Sequence, residues 1–595
     1  MIKIRNACHN LLVRDGPSWR IYMDLKRIIR AARGDETADL LLTHARIVNV
    51  FSGEIVSGDI AVAGGCIVGF GEYDAKKRID MGDRFVAPGF IDSHVHIESA
   101  MLSITQFARA VLRLGTTTVV ADPHEIANVL GIEGIDYMLR SSENQPMNIY
   151  FNLPSCVPST NMETSGATLT AEDLLPFLDR RRILGLAEMM NYPGVIHEDP
   201  AVLRKIENTL KHRKPVDGHA PGLTGRDLYA YISAGISSDH ESITVREAME
   251  KLNAGMHIMI REGTGAKNLN DLIPVINSRT APRMMWCTDD RHPHDLLEEG
   301  HIDSMVRRAI QAGVDPVTAI QMATINPADH FGLGHLGAIG PGRQADMVVF
   351  SDITDIHVEQ VYHQGLLVAE DGKILPEIDI PEPIPVRPSM NLEIEKIDFS
   401  VPEEGRHIRV IEIVPHQVIT RQSIKEALIS EKMAVSDIHR DILKIMVVDR
   451  HSGSGNTGKG FVSGFGLKRG ALASSVAHDS HNVIVVGTND GDMKTAVQTL
   501  ITMGGGLAAA CDNRVWADLS LPIAGLMSFK PIQTINDQLN RLLDAAREFG
   551  STLHDPFMTL SFLALPVIPE LKITDKGLVD VTRFKVVSLF VDSSE

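Results

Sequence analysis

The sequence predicts a mixed α/β protein. Its centre is a (β/α)8 barrel of the TIM type, with a small composite β-sandwich domain drawn from both flanks and a C-terminal α+β domain behind it. Three observations carry this expectation. Between residues 86 and 330, short apolar runs alternate with amphipathic stretches, the signature of parallel α/β structure. Eight such runs fit that span (85–93, 117–122, 148–153, 183–189, 215–219, 235–239, 257–261 and 284–288), and roughly 250 residues is the size of an eight-stranded barrel. Residues of metal-binding type stand at the ends of most runs, at the face where barrels build their active sites. Pattern alone also admits an open doubly wound sheet.

The remaining elements follow in chain order. Residues 1–37 read as an N-terminal helical extension. Residues 38–85 alternate apolar and polar positions between turn glycines, as in Ala45-Arg46-Ile47-Val48-Asn49-Val50 and Asp59-Ile60-Ala61-Val62-Ala63, which predicts short strands and hairpins. The same texture returns in 331–375, for example Asp346-Met347-Val348-Val349-Phe350, so the two flanks are expected to form one small β domain around the barrel at 86–330. Residues 376–394 carry Pro376, Pro381, Pro383, Pro385 and Pro388 and read as an extended linker. Residues 395–595 then show strands (408–414, 483–486) and helices (about 491–503 and 532–549), a separate α+β domain.

Composition removes several classes of function. Lys+Arg 58 against Asp+Glu 76 gives a net charge of -18, the wrong sign for a general nucleic-acid binder. No apolar stretch reaches the roughly 20 residues a membrane helix requires, and the first thirty residues lack a signal core. Five scattered cysteines (Cys8, Cys66, Cys156, Cys287, Cys511) suggest neither a disulfide framework nor a thiolate metal site. The expectation is a soluble cytoplasmic protein.

The most informative motif is Asp92-Ser93-His94-Val95-His96 at the end of the first run. On a strand, residues i and i+2 face one side, so both imidazoles can hold one metal ion. Run four ends at Glu188, run five at His219, run six at His240-Glu241 and run eight at Asp289-Asp290. Each alone reads as a surface loop residue; five coincidences at one end of a barrel read as a site. Histidine and carboxylate without thiolate suit Zn, Mn or Fe(II). His124-Glu125 follows run two and Arg261-Glu262 follows run seven. Glu125 reads equally as a helix-start carboxylate, and Arg261-Glu262 equally as an internal ion pair. His478-Asp479-Ser480-His481 closes over the barrel mouth, holds an accessory metal, or is a polar turn before the strand at 483–486. Two tempting motifs fail. Gly453 to Gly460 lacks the Ser/Thr that follows the lysine of a phosphate loop, and Gly332-Leu333-Gly334-His335-Leu336-Gly337 follows a helix instead of a strand.

These residues resemble the amidohydrolase superfamily: His-x-His after strand one, His after strands five and six, Asp after strand eight. Three stretches resemble the bacterial adenine deaminases more narrowly: His94-Val95-His96-Ile97-Glu98-Ser99, Asp122-Pro123-His124-Glu125-Ile126-Ala127-Asn128-Val129 and Ser475-Val476-Ala477-His478-Asp479-Ser480-His481-Asn482. The resemblance implies two divalent ions. The oxygen-rich site and the likeness favour Mn(2+) or Fe(2+) over Zn(2+). Many relatives bridge their ions with a carboxylated lysine on strand four; here no lysine occurs between Lys77 and Lys205, and Glu188 is expected to bridge instead. One ion is then assigned to His94, His96, Glu188 and Asp289, the other to Glu188, His219 and His240. Cys156 is an outside alternative bridge, read as a structural thiol.

The implied reaction is attack of an activated water on C6 of adenine, giving hypoxanthine and ammonia. Asp289 is expected to shuttle the proton, His240 to belong to the catalytic set, and Glu125, Glu98 or Glu262 to serve as the acid near N1. His124 and Arg261 are expected to line the substrate pocket. The competing readings are hydrolysis of a cyclic amide of the dihydroorotase or hydantoinase type, and a non-catalytic scaffold. The partner expected is a small purine base, with no nucleic acid or membrane, in a homodimer or larger assembly.

Overall fold

The computed structural model describes residues 24–591 except 377, 379, 380, 382, 415 and 416. Most of the predicted N-terminal extension, Cys8 and part of the proline-dense stretch lie outside the described residues. The extension's described part holds one helix, Leu25–Ala32, capped by the Asp24 carboxylate on the Arg27 N–H.

Eight parallel strands position the site: β1 Phe90–Val95, β2 Thr116–Ala121, β3 Asn148–Leu153, β4 Ile183–Met189, β5 Val216–Gly218, β6 Ser238–Asp239, β7 His257–Arg261 and β8 Met284–Cys287. They form a five-stranded sheet in the order β5-β4-β3-β2-β1 and a three-stranded sheet β6-β7-β8. Isolated parallel bridges join the two sheets at both seams, Val216 with Ile236 and Val95 with Asp289. β2 reads TTTVVA and is buried throughout, as expected of a strand covered on both faces.

The run predicted as one strand at 85–93 is two. Phe85–Pro88 pairs antiparallel with Met347–Phe350 and parallel with Arg46 and Ile47, so it belongs to the flanking sheet. Gly89 is the hinge between them. A Cβ there would meet the Thr117 hydroxyl at 2.2 Å, so only glycine lets the chain cross from one sheet to the other. The flanking sheet runs from Lys373–Ile374 through Leu366–Glu370, Gln360–His363, Met347–Phe350, Phe85–Pro88, Ala38–Asn49 and Glu54–Ala63 to Cys66–Phe70. Residues from both sides of the eight strands thus share one sheet.

Beyond residue 400 a second nine-stranded sheet forms, including His407–Ile413, Leu443–Val448, Thr457–Ser463 and Val483–Gly487. The helices read from the sequence are there, at Asp490–Met503 and Ile532–Glu548. The second buries Ile532, Ile535, Leu539, Leu542, Ala545 and Ala546, one helical face. This region does not stand apart from the eight parallel strands and their helices. Leu102 and Ser528 form a parallel bridge, and the Ser103 N–H donates to the Ser528 carbonyl at 2.9 Å. One apolar cluster runs from Leu102 and Val129 into Ile523, Met527 and Leu560. Among the described residues no helix is long and apolar enough to cross a membrane.

Candidate metal centre

The site lies just past the C-terminal ends of the parallel strands. His94 is the penultimate residue of β1 and His96 follows the strand. Glu188 is the penultimate residue of β4; His219 follows β5 and His240 follows β6. Asp289 lies two residues past β8 with φ +55°, a conformation that costs most side chains but that aspartate tolerates. Two backbone hydrogen bonds hold that turn: the Asp289 N–H donates to the His94 carbonyl at 3.0 Å, and the His96 N–H to the Asp289 carbonyl at 3.3 Å. Beneath them Asp92 accepts from the backbone N–H groups of His94 and Thr288 and from the Thr288 hydroxyl at 2.5 Å. Gly218 lets β5 and β6 approach, since a Cβ there would lie 2.4 Å from the Ser238 carbonyl. Short strands, a strained aspartate and a close glycine bring distant ligands to one point.

At that point Glu188 is central. Its Oε1 faces His96 Nε2 at 3.2 Å, His124 Nδ1 at 3.5 Å and His94 Nε2 at 3.9 Å; its Oε2 faces His219 Nδ1 at 2.6 Å and His240 Nε2 at 3.2 Å. Asp289 Oδ1 lies 3.0 Å from His96 Nε2 and 3.5 Å from His94 Nε2. The His94 and His96 Nε2 atoms are 3.1 Å apart, and the His94 ring stacks on that of His240 at 4.3 Å. All are buried apart from His219, which is a fifth exposed. Burial works against charge on Glu188, but the imidazoles of His219, His240 and His96 outweigh it and hold its carboxyl well below the usual range. Burial likewise opposes charge on Asp289, and hydrogen bonds from His94 and His96 with the Arg261 charge hold it well below its ordinary value. Both are carboxylates at neutral pH.

This donor set fits divalent cations. Among the described residues the groups able to converge on an ion include His94, His96 and Asp289, and His94, Glu188 and His240. His240 Nε2 is buried without a hydrogen-bond partner, an orphan that a cation would satisfy. The structure thus brings together all six residues assigned as ligands from the sequence.

The other expected residues divide. His124 joins the cluster, with Nδ1 on Asp122 Oδ2 at 2.9 Å and against Glu188. Glu98 and Glu125 are neighbours beside it. The Glu98 carboxyl accepts from the Ile126 N–H at 3.2 Å, and burial, then the Glu125 charge, push it up to about 8. Burial also opposes charge on Glu125, but the His478 charge and hydrogen bond pull its carboxyl far down. His478 Nδ1 lies 3.0 Å from Glu125 Oε1, and His481 Nε2 lies 3.6 Å from Oε2. Asp479 Oδ1 is 4.0 Å from His124 Nε2.

Two residues are tied into ion pairs. Glu262 is turned from the cluster: its carboxylate takes the Leu269 N–H at 3.0 Å and the Arg308 guanidinium at 2.5 Å. Arg261 is engaged internally, pairing with Glu241 and reaching Asp289 Oδ2 at 3.0 Å. Cys156 is buried beside the Ser155 hydroxyl and belongs to none of the convergent groups.

Sequence reasoning left Glu241 unassigned. It lies 3.6 Å from both His219 Nδ1 and His240 Nε2 and carries the Arg261 pair. Its adjacency to His240, opposite an arginine on the next strand, was the available signal. Asp122, two residues before His124, fixes the His124 ring.

Comparison with known proteins gives the family. Residues 85–374 match the amidohydrolase family, which defines the class. Residues 417–585 match the adenine deaminase C-terminal domain. An adenine deaminase of Desulfatibacillum aliphaticivorans is 56% identical over 564 residues, 95% of this chain and 99% of that protein. One from Methanothrix thermoacetophila is 50% identical over 572 residues, 96% and 100% of the two chains. A solved adenine deaminase covers 56% of this chain and 99% of its own at 18% identity and TM-score 0.43. The chain belongs to the adenine deaminase family of amidohydrolases.

Proposed function

We propose that this chain is an adenine aminohydrolase that converts adenine and water to hypoxanthine and ammonia at a two-cation centre bridged by Glu188. The observation that carries the reading is the split of one carboxylate between two sets of imidazoles, with Oε1 toward His94 and His96 and Oε2 toward His219 and His240. His94, His96, Glu188 and Asp289 would hold one cation, and Glu188, His219 and His240 the other. Bound there, divalent cations supply a water acidic enough to act as a nucleophile near neutral pH. The oxygen-bearing donor set favours Mn(2+) or Fe(2+). Bridges at both seams support a closed (β/α)8 barrel as the scaffold, with the flanking sheet as one composite domain around it.

The chain's own groups then divide the proton work. Asp289 is held ionised, and Arg261 fixes its Oδ2, leaving Oδ1 on the cage side to take the proton of the attacking water. Attack at C6 places electrons on N1, which needs a proton. Of the three acids considered, Glu262 is committed to Arg308 and Glu125 is held as a carboxylate by His478. Glu98, whose Oε2 is buried without a partner, is left to carry it. Neighbouring carboxyls pushed apart in this way define acid and base. The test is ammonia release from adenine, beside dihydroorotate and hydantoin, by protein reconstituted with Mn(2+) or Fe(2+). Turnover of a cyclic amide with adenine inert overturns the reading.

A further inference from the structure

The segment from Ala477 to Asn482 belongs to the C-terminal region, yet it lies against the barrel's catalytic face. It is clamped from both sides. The Arg450 guanidinium donates to the His481 carbonyl, the Arg450 N–H donates to Asn482 Oδ1 at 3.2 Å, and His451 Nε2 meets the Ser480 carbonyl at 2.7 Å. From the barrel side, the Thr164 carbonyl accepts from Asn482 Nδ2 at 2.7 Å and Glu163 accepts from the Ser480 hydroxyl at 2.5 Å. The His478 ring stacks on Phe562 at 4.7 Å. A segment fixed at so many points has no freedom to turn its polar side chains to solvent.

Within it, Asp479 is 3% exposed and its Oδ2 has no hydrogen-bond partner. A buried carboxyl oxygen left bare is costly, and such atoms call for a partner that arrives with a ligand. Its other oxygen, Oδ1, fixes where the residue stands relative to the cage. From Glu188 outward come the His124 ring, at 3.5 Å from Glu188 Oε1, and then Asp479 Oδ1, at 4.0 Å from His124 Nε2. Asp479 therefore sits about one aromatic ring beyond the cage. With its C6 at the cage, a purine presents its far, imidazole edge at that depth.

On the adenine reading, we propose that Asp479 makes this a free-base site: its carboxyl oxygen accepts the imidazole-ring N–H of adenine. A free purine base carries that proton on N9 or N7. A nucleoside has its glycosidic bond there and no N–H, so it would leave Asp479 unpaired and set a sugar against a fixed, buried segment. A site built to bond a substrate N–H rejects the analogue lacking it by ~10⁴-fold or more, far beyond what an apolar pocket achieves. The C-terminal region is then a specificity element, supplying a residue to a centre whose expected ligands all come from barrel strand ends.

The test uses the full-length metal-loaded enzyme with adenine and 9-methyladenine, which differ only in that N–H. Wild type should prefer adenine by roughly ten-thousandfold or more in kcat/KM. Asp479→Ala should lower kcat/KM for adenine by about a hundredfold, mostly through KM, leave 9-methyladenine within about threefold, and keep its metal content. Asp479→Asn retains an accepting oxygen and should keep much of the preference. An unchanged preference in Asp479→Ala, or an equal loss on both substrates, overturns the inference, and so does a wild type indifferent to the methyl group. Wild type inert toward both bases overturns the adenine reading itself, a result distinct from these.

Discussion

Two buried clusters of histidine and carboxylate lie side by side, and they are chemically different. The Glu188 cluster comes entirely from strand ends, and its nitrogens face one another: His94 and His96 Nε2 at 3.1 Å, with His240 Nε2 in no hydrogen bond beside Glu188. Such crowding of imidazole nitrogens is relieved by cations. The Glu125 cluster comes from two regions, and His481 decides its nature. Its Nδ1 accepts the Ala477 N–H at 3.2 Å, so in the neutral ring the proton sits on Nε2, facing Glu125. Burial keeps that ring neutral, pushing its pKa well below the ordinary value. A nitrogen carrying a proton is a donor to a carboxylate and cannot be a metal ligand. Both sets bring donor atoms close enough together for an ion; we infer that the Ala477 hydrogen bond makes the second a fastening where the first is a cage.

The comparison breaks most sharply at Glu188. Glu188→Gln removes the one carboxylate shared by both imidazole sets. It should cut kcat by roughly a thousandfold or more, because the cage acts as a unit, and metal analysis should show lost occupancy. A variant that keeps both metals and most activity would show that the two imidazole sets do not depend on their bridge. Asp289→Asn is milder. It preserves shape and the Arg261 contact but loses the proton acceptor, so kcat should fall about a hundred- to ten-thousandfold, the range of general acid–base help, with KM little changed. Steady-state kinetics at saturating metal would check it.

These contrasts explain how much of the molecule was legible in the sequence. Glu188, His219, His240 and Asp289 could be found because each follows an apolar strand, and strand ends converge by the geometry of parallel sheets. Glu125 could not be resolved: its partners His478 and His481 lie some 350 residues away, and only tertiary docking sets them beside it. Arg261 and Glu262 illustrate the same limit from adjacent positions. Arg261 ends β7 and Glu262 follows it, but one turns toward Asp289 and the other toward Arg308, a choice made by tertiary neighbours and not by local pattern. The break at Gly89 was hidden for a different reason. Apolar residues on both sides gave one continuous signal, and only the nearness of Thr117 requires the glycine.

At the junction itself Glu163 gives a pH-dependent test. Burial, against hydrogen bonds from Ser159 and Ser480, pushes its carboxyl up to about 7 from an ordinary 4.5. A raised folded-state value means the folded form binds the proton more tightly. Its contribution is complete below about pH 4.5, declines as pH rises through 7, and is flat above, a loss of up to roughly 3 kcal/mol. Glu163→Gln mimics the protonated form, so its stability relative to wild type should climb between pH 5 and 8. Thermal melts at those two values read this directly, and a constant offset would show that Glu163 ionises normally.

The smallest effect discriminates the two clusters most directly. His481→Ala strips the acceptor from the buried Ala477 N–H and the donor that faces Glu125 Oε2, a loss of about 2 kcal/mol by the cost of unsatisfied buried groups. Because His481 Nε2 carries a proton, the variant should bind as many metal ions per chain as wild type, whereas Glu188→Gln should not. Elemental analysis after dialysis separates these outcomes. One ion fewer in His481→Ala would mean that Nε2 is deprotonated in the loaded protein, that the Ala477 bond yields to coordination, and that the fastening is a second cage.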